Sequence, residues 1–136
     1  MQKRSFEPVI NAPEDTILPK RGSKCSAGYD FYAAEDINCR AHSVSKLSFT
    51  NIKVKMPANE YLAIMIRSSL AVKYGLQVAQ GTAVIDADYY SNPNNDGNIG
   101  IVVVNNSGGD KREKSLVGTA TYNVAHSGKV GYRDVT

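Results

Sequence analysis

No run of this sequence is apolar for long enough to cross a membrane as a helix. The longest, residues 99–104, falls far short of the roughly 20 residues that a span needs. The start of the chain is basic but has no apolar core behind it, so a secretory leader is not expected and a reducing, cytoplasmic setting is. Cysteine is scarce. Cys25 and Cys39 are the only two, and with His42 and His126 they show none of the spacings that hold zinc. Both are expected to be ordinary thiols. Charge of one sign is also in short supply: the net charge is +3, the basic residues are scattered, and no aromatic stripe accompanies them. A nucleic-acid groove is therefore not indicated, although a mildly basic chain suits a small polyanion.

What is present is a β protein of 136 residues with 42% apolar content, enough for one domain with a core. Runs rich in Val, Ile, Tyr and Phe alternate with clusters of Gly, Pro, Asn and Ser. Strands are predicted at residues 28–33, 44–55, 61–67, 76–80, 82–86 and 99–105. The long segment 44–55 alternates imperfectly between apolar and polar, as a sheet with one wet face does. One short helical turn is predicted over 69–74, closed by Gly75. Gln80-Gly81 reads as the tip of a tight hairpin, and residues 91–97 read as a surface loop. A single β-sandwich or jelly roll is the economical architecture.

Three clusters place phosphate-handling residue types in turns. In Ser26-Ala27-Gly28-Tyr29-Asp30 a carboxylate opens a strand, where it can hold a hard cation or merely cap a turn. Arg67-Ser68-Ser69-Leu70-Ala71 sits at a strand-to-helix junction. Its guanidinium, hydroxyls and free N–H groups suit an anion, and a plain serine N-cap is the competing reading. Ala83-Val84-Ile85-Asp86-Ala87-Asp88-Tyr89 delivers an Asp and a Tyr to a strand end, as a general base and a ring platform or simply as a solvated edge.

Taken together and in this order, the clusters resemble the first three motifs of the trimeric dUTPase family, over roughly residues 24–106. The resemblance implies a distorted jelly roll, or β-clip barrel, that assembles as a homotrimer with active sites at subunit boundaries. It implies hydrolysis of dUTP to dUMP and pyrophosphate with Mg²⁺ as cofactor. On that pattern Asp30 belongs to the Mg²⁺–triphosphate complex, and Arg67, Ser68 and Ser69 bind phosphate. Asp86 activates the water that attacks the α-phosphate. Gln80, Val84 and Ile85 lie on the hairpin that reads uracil and is too narrow for a 5-methyl group. Tyr89 packs under the deoxyribose, and Gly100 falls near a further backbone contact to the base.

Some positions depart from the pattern. Gln80 stands where the family usually has Asn, Ala83 replaces a Gly, and the loop of residues 90–97 is longer than the family minimum. After Asn106 the fourth motif, an Arg-Ile-Ala-Gln run, does not occur. Neither does the Gly-rich closing tail, because Ser127-Gly128-Lys129-Val130-Gly131-Tyr132-Arg133 has similar residues in the wrong order. The chain thus divides into a dUTPase-like body, residues 1–109, and an atypical segment, residues 110–136, which reads as a replaced or frame-shifted end that impairs turnover. A non-catalytic nucleotide-binding or regulatory protein on the same body is the alternative. A dCTP deaminase is a third reading, disfavoured because Val102 stands where that family needs Glu.

Overall fold

The computed structural model describes residues 4–109, 111–113, 116–126 and 129–133. Fourteen short strands and one helix follow in order: β1 (Ser5–Pro8), β2 (Tyr29–Tyr32), β3 (Ile37–Cys39), β4 (Ser43–Val44), β5 (Ser48–Phe49), β6 (Ile52–Lys55), β7 (Glu60–Met65), α1 (Ser68–Tyr74), β8 (Leu76–Val78), β9 (Ala83–Asp86), β10 (Gly100–Ile101), β11 (Val103–Asn105), β12 (Lys111–Glu113), β13 (Leu116–His126) and β14 (Lys129–Arg133). The all-β class with one short helix is as expected. The strands form five separate ladders instead of one closed barrel: β1 with β6, β5 with β10, β4-β11-β8, β3 with β12, and β9-β7-β13, whose outer side carries both β2 and β14.

The predicted strand over 44–55 is three strands. Polar side chains inside it bond to backbone and interrupt the ladder. Ser45 Oγ accepts the Val103 N–H at 2.9 Å, and Thr50 Oγ1 donates to the Ile99 carbonyl at 2.8 Å. Asn51 then takes a positive φ of 63°. The predicted strand over 99–105 likewise splits into β10 and β11. The Gln80-Gly81 turn is present, with Gly81 at φ 79° and its N–H donating to the Val78 carbonyl at 2.7 Å. Its flanking strands are not paired to each other, however. β8 pairs with β11 and β9 pairs with β7, because each finds a longer-range partner.

The core lies between these ladders. Phe31, Ile52, Leu62, Ile64 and Ile99 are fully enclosed, and Phe6 lays its ring edge-on to Phe31 at 5.3 Å. Asn105 is buried with both ends of its amide satisfied: Nδ2 donates to the Cys39 and Gly109 carbonyls, and Oδ1 accepts from Ser107. Cys25 and Cys39 are free thiols, as expected. Burial pushes the Cys39 thiol pKa up, against smaller lowering contributions from backbone hydrogen bonds. Among the described residues no helix is long and apolar enough to cross a membrane.

The C-terminal segment enters the sheet through its backbone. β13 runs antiparallel between β7 on one side and β2 and β14 on the other, and β12 pairs with β3. Of the stretch read as a poor closing tail, residues 129–133 form β14, and residues 127–128 lie outside the described residues.

Candidate active site

Asp30 sits in β2, where its N–H donates to the Lys20 carbonyl at 2.8 Å. The preceding turn is tied by the Arg21 guanidinium, which donates twice to the Ser26 carbonyl at 2.9 and 2.7 Å. That turn passes close to the carboxylate: a Cβ on Gly22 would lie 3.2 Å from Asp30 Oδ2. Glycine there leaves room beside the acid.

Arg67, Ser68 and Ser69 follow β7. The N-cap of α1 is Arg67, in extended conformation at φ −64°, ψ 144°, with no side-chain capping bond. Both serines are inside the first turn, so the plain serine N-cap is not what these residues form. The first turn carries no acidic residue, and the helix ends on Gly75 at φ 68°, whose N–H bonds the Ala71 and Leu70 carbonyls. Arg67 has no carboxylate partner among the described residues.

Asp86 is exposed at the end of β9 and opens into a cleft of about 430 Å³ that Asn59, Tyr61 and Asp88 also line. A 3-10 turn, Ala87–Tyr89, follows it. Tyr89 is half-buried and held at its hydroxyl, which accepts from Asn95 Nδ2 at 2.7 Å and donates to the Asn98 carbonyl at 3.2 Å. Val84 is exposed and Ile85 half-buried on β9, and Gln80 is exposed at the turn before it. Among the described residues β9 is an edge strand, so the backbone groups on its outer side are unpaired by the sheet. Gly100 stands elsewhere, paired with Phe49 in the β5–β10 ladder. A Cβ there would lie 2.7 Å from Leu47 and 3.3 Å from Phe49, and this packing accounts for the glycine.

The register sorts these residues into two groups. Asp86 stands opposite Tyr61 at the start of β7. Asp30 aligns through Thr119 of β13 with Met65 at its far end, and Arg67 lies beyond that. Four residues of strand separate the two levels, about 13 Å at ~3.3 Å per residue. Asp30 is two strands across from Met65, a further ~10 Å. One chain therefore holds Asp30 and Arg67 towards one end of the sheet, on strands that are not neighbours, and Asp86 and Tyr89 towards the other.

Residues 14–112 match the profile of the dUTPase family. The chain belongs to the dUTPase family. It is 41% identical over 100 residues to the deoxyuridine 5′-triphosphate nucleotidohydrolase of Lactococcus lactis, an alignment covering 73% of this chain and 66% of that protein. The enzyme of the same name from Debaryomyces hansenii is 43% identical over 81 residues, covering 60% of this chain and 49% of that one. The crystal structure of dUTPase from Streptococcus mutans superposes with a TM-score of 0.81 at 32% identity, over 89% of this chain and 95% of that one. The chain thus spans about half to two thirds of the length of these curated relatives, and the dUTPase profile ends two residues after Asp110.

Sequence reading missed the loop that serves Tyr89. Residues 91–97 are the surface loop that the composition indicates, and they are densely bonded. Asn92 donates to the Tyr89 carbonyl at 2.8 Å and accepts from the N–H groups of Asn94 and Asn95 at 3.0 Å. Asp96 binds the ammonium of buried Lys53 at 3.0 Å and accepts the Ile10 N–H at 2.8 Å. The Ile10 N–H and Lys53 hold the Asp96 carboxyl below the usual aspartate pKa. The only signal in sequence was the density of Asn, the residue type that bonds its own backbone in turns.

Proposed function

We propose that this chain hydrolyses dUTP to dUMP and pyrophosphate, as a homotrimer whose sites each draw on neighbouring copies. The separation of Asp86 from Asp30 and Arg67 across the sheet carries this reading, since only a second copy supplies the missing half. In it, Asp86 accepts a proton from a water aimed at the α-phosphate, and the pyrophosphate departs on the opposite side. Arg67 and the hydroxyls of Ser68 and Ser69 grip phosphate oxygens. The edge of β9, with Val84, Ile85 and Gln80, reads uracil by backbone hydrogen bonds and excludes a 5-methyl group by contact. Tyr89 lies under the deoxyribose, and Gly100 is kept as a further base contact.

The residues fit a Mg²⁺ that arrives on the triphosphate. Among the described residues no cluster of three His, Cys, Asp or Glu holds a metal unaided, and Mg²⁺ in nucleotide sites commonly takes one or two carboxylates together with substrate phosphates. Asp30 is the carboxylate this chain offers. When bound, the ion neutralises charge on the phosphate oxygens.

Pyrophosphate release tests the reading: dUTP is turned over, dTTP and dCTP are not, and Asp86→Asn retains dUTP binding while losing turnover by about 10²–10⁴-fold. Full activity in Asp86→Asn contradicts it. A second reading, nucleotide binding without turnover, is favoured by one observation: the match to the family profile ends at residue 112, and no Arg-Ile-Ala-Gln run follows it in the sequence. Calorimetry with a non-hydrolysable dUTP analogue beside the activity assay separates the two, and tight binding without any pyrophosphate supports the second.

A further inference from the structure

The long loop after Asp86 is built to hold one side chain. Tyr89 is restrained at three points. Its hydroxyl is bracketed by Asn95 Nδ2 and the Asn98 carbonyl, and its own carbonyl accepts from Asn92 Nδ2. Asn95 is in turn fixed by its other end, because Oδ1 accepts the Asn92 amide at 2.9 Å and the Gly97 N–H at 3.1 Å. The loop is pinned to the core strand β6 by Lys53, whose ammonium reaches both Asp96 oxygens and Ser91 Oγ. The same ammonium lies 5.1 Å from the centre of the Tyr90 ring, and Tyr90 donates to Glu7 at 2.6 Å. Such a network is more than closing a surface loop requires.

We infer that Asn95 is a positioning residue for sugar selectivity, setting the depth of the Tyr89 ring through its hydroxyl. The inference rests on the proposed role of Tyr89 as the platform beneath the deoxyribose. A ring that rejects a 2′-hydroxyl by contact works only while it cannot retreat, and displacements of about half an ångström decide such contacts. The Asn95 amide and the Asn98 carbonyl hold the hydroxyl from two sides, so the ring neither slides along the sugar face nor tips away from it. The ligands discriminated are deoxyribo- and ribonucleoside triphosphates carrying the same base.

The test compares binding of α,β-imido-dUTP and α,β-imido-UTP by calorimetry, which needs no turnover. Asn95→Ala is expected to reduce the deoxy-over-ribo preference by about three- to tenfold, the worth of a net neutral hydrogen bond or slightly more. Tyr89→Phe, which keeps the ring and removes the hydroxyl, is expected to do the same. The double variant is expected to lose no more than Tyr89→Phe alone, since both act through one contact. Asn94→Ala, in the same loop but bonded only to Asn92, is expected to keep the wild-type ratio. Thermal denaturation of each variant confirms that it is folded. If Tyr89→Ala abolishes the preference while Asn95→Ala leaves it intact, or if the losses in the double variant add in full, the positioning role is overturned and the platform stands. If Tyr89→Ala leaves the preference unchanged, the platform reading fails and the inference falls with it.

Discussion

Replacing Gly97 by alanine perturbs the Tyr89 loop at its tightest point, and Gly81 provides a matched control. Both glycines have left-handed backbone, φ 82° and φ 79° respectively. An alanine at either position meets the same conformational penalty, roughly 1–2 kcal/mol. Their surroundings differ. A Cβ on Gly81 has nothing within 4 Å, whereas one on Gly97 would lie 2.8 Å from the Tyr89 carbonyl oxygen, 2.9 Å from the Ser91 nitrogen and 3.1 Å from Tyr90 Cα. All three are backbone atoms and cannot rotate away, so Gly97→Ala adds an overpacking cost of about 1–3 kcal/mol. For a domain of this size 1 kcal/mol moves Tm by roughly 3–5 °C. Gly81→Ala is then expected to lower Tm by about 3–10 °C, and Gly97→Ala by about 6–25 °C. Thermal denaturation of the two variants side by side measures the difference. Equal shifts would show instead that the loop backbone yields freely and holds Tyr89 loosely.

Three further outcomes are expected. Maleimide labelling modifies exposed Cys25 promptly and buried Cys39, whose thiol pKa is raised, only under denaturing conditions; equal labelling rates in native buffer contradict the burial. Because the folded Asp96 carboxyl sits below its ordinary pKa near 3.9, its contribution to stability is present above that value and lost as pH falls through the folded pKa. The Tm gap between the native protein and Asp96→Asn is thus full at pH 6 and closes in strong acid, and a gap independent of pH contradicts the Lys53–Asp96 tie. Chelation of Mg²⁺ is expected to stop pyrophosphate release and re-addition to restore it, with Asp30→Asn raising the Mg²⁺ concentration needed. An unchanged requirement in that variant removes Asp30 from the metal complex.

Local chemistry was legible where a residue acts on its own neighbours. Gly75 ends α1 because its left-handed backbone caps Leu70 and Ala71, a feature readable from the glycine after a helical run. Residues 28–33 and 82–86 read as strands, and the structure has β2 and β9 there. Non-local pairing was not legible. Gln80-Gly81 does make a turn, but no local signal tells that β8 joins β11 while β9 joins β7. The alternation over 44–55 hid the points where Ser45 and Thr50 turn their hydroxyls onto backbone. β13 was overlooked altogether, since its place is set by pairing with β2 and β7, some 50 to 90 residues earlier in the chain. The site divides in the same way. Asp30, Arg67 and Asp86 stood out by residue type and order, whereas the Asn92–Asn95 bonding around Tyr89 emerges only with coordinates.

Sharing of the site between copies is tested most directly by subunit complementation. Asp86→Asn and Arg67→Ala are each inactive alone in this account, yet each keeps the half the other lacks. Unfolded and refolded together in equal amounts, they should form mixed trimers in which about one site in four combines an intact Asp86 with an intact Arg67 from a neighbour, giving roughly a quarter of the native pyrophosphate release. No activity in verified mixed trimers would mean that both groups must come from one chain, contrary to the separation seen along β7.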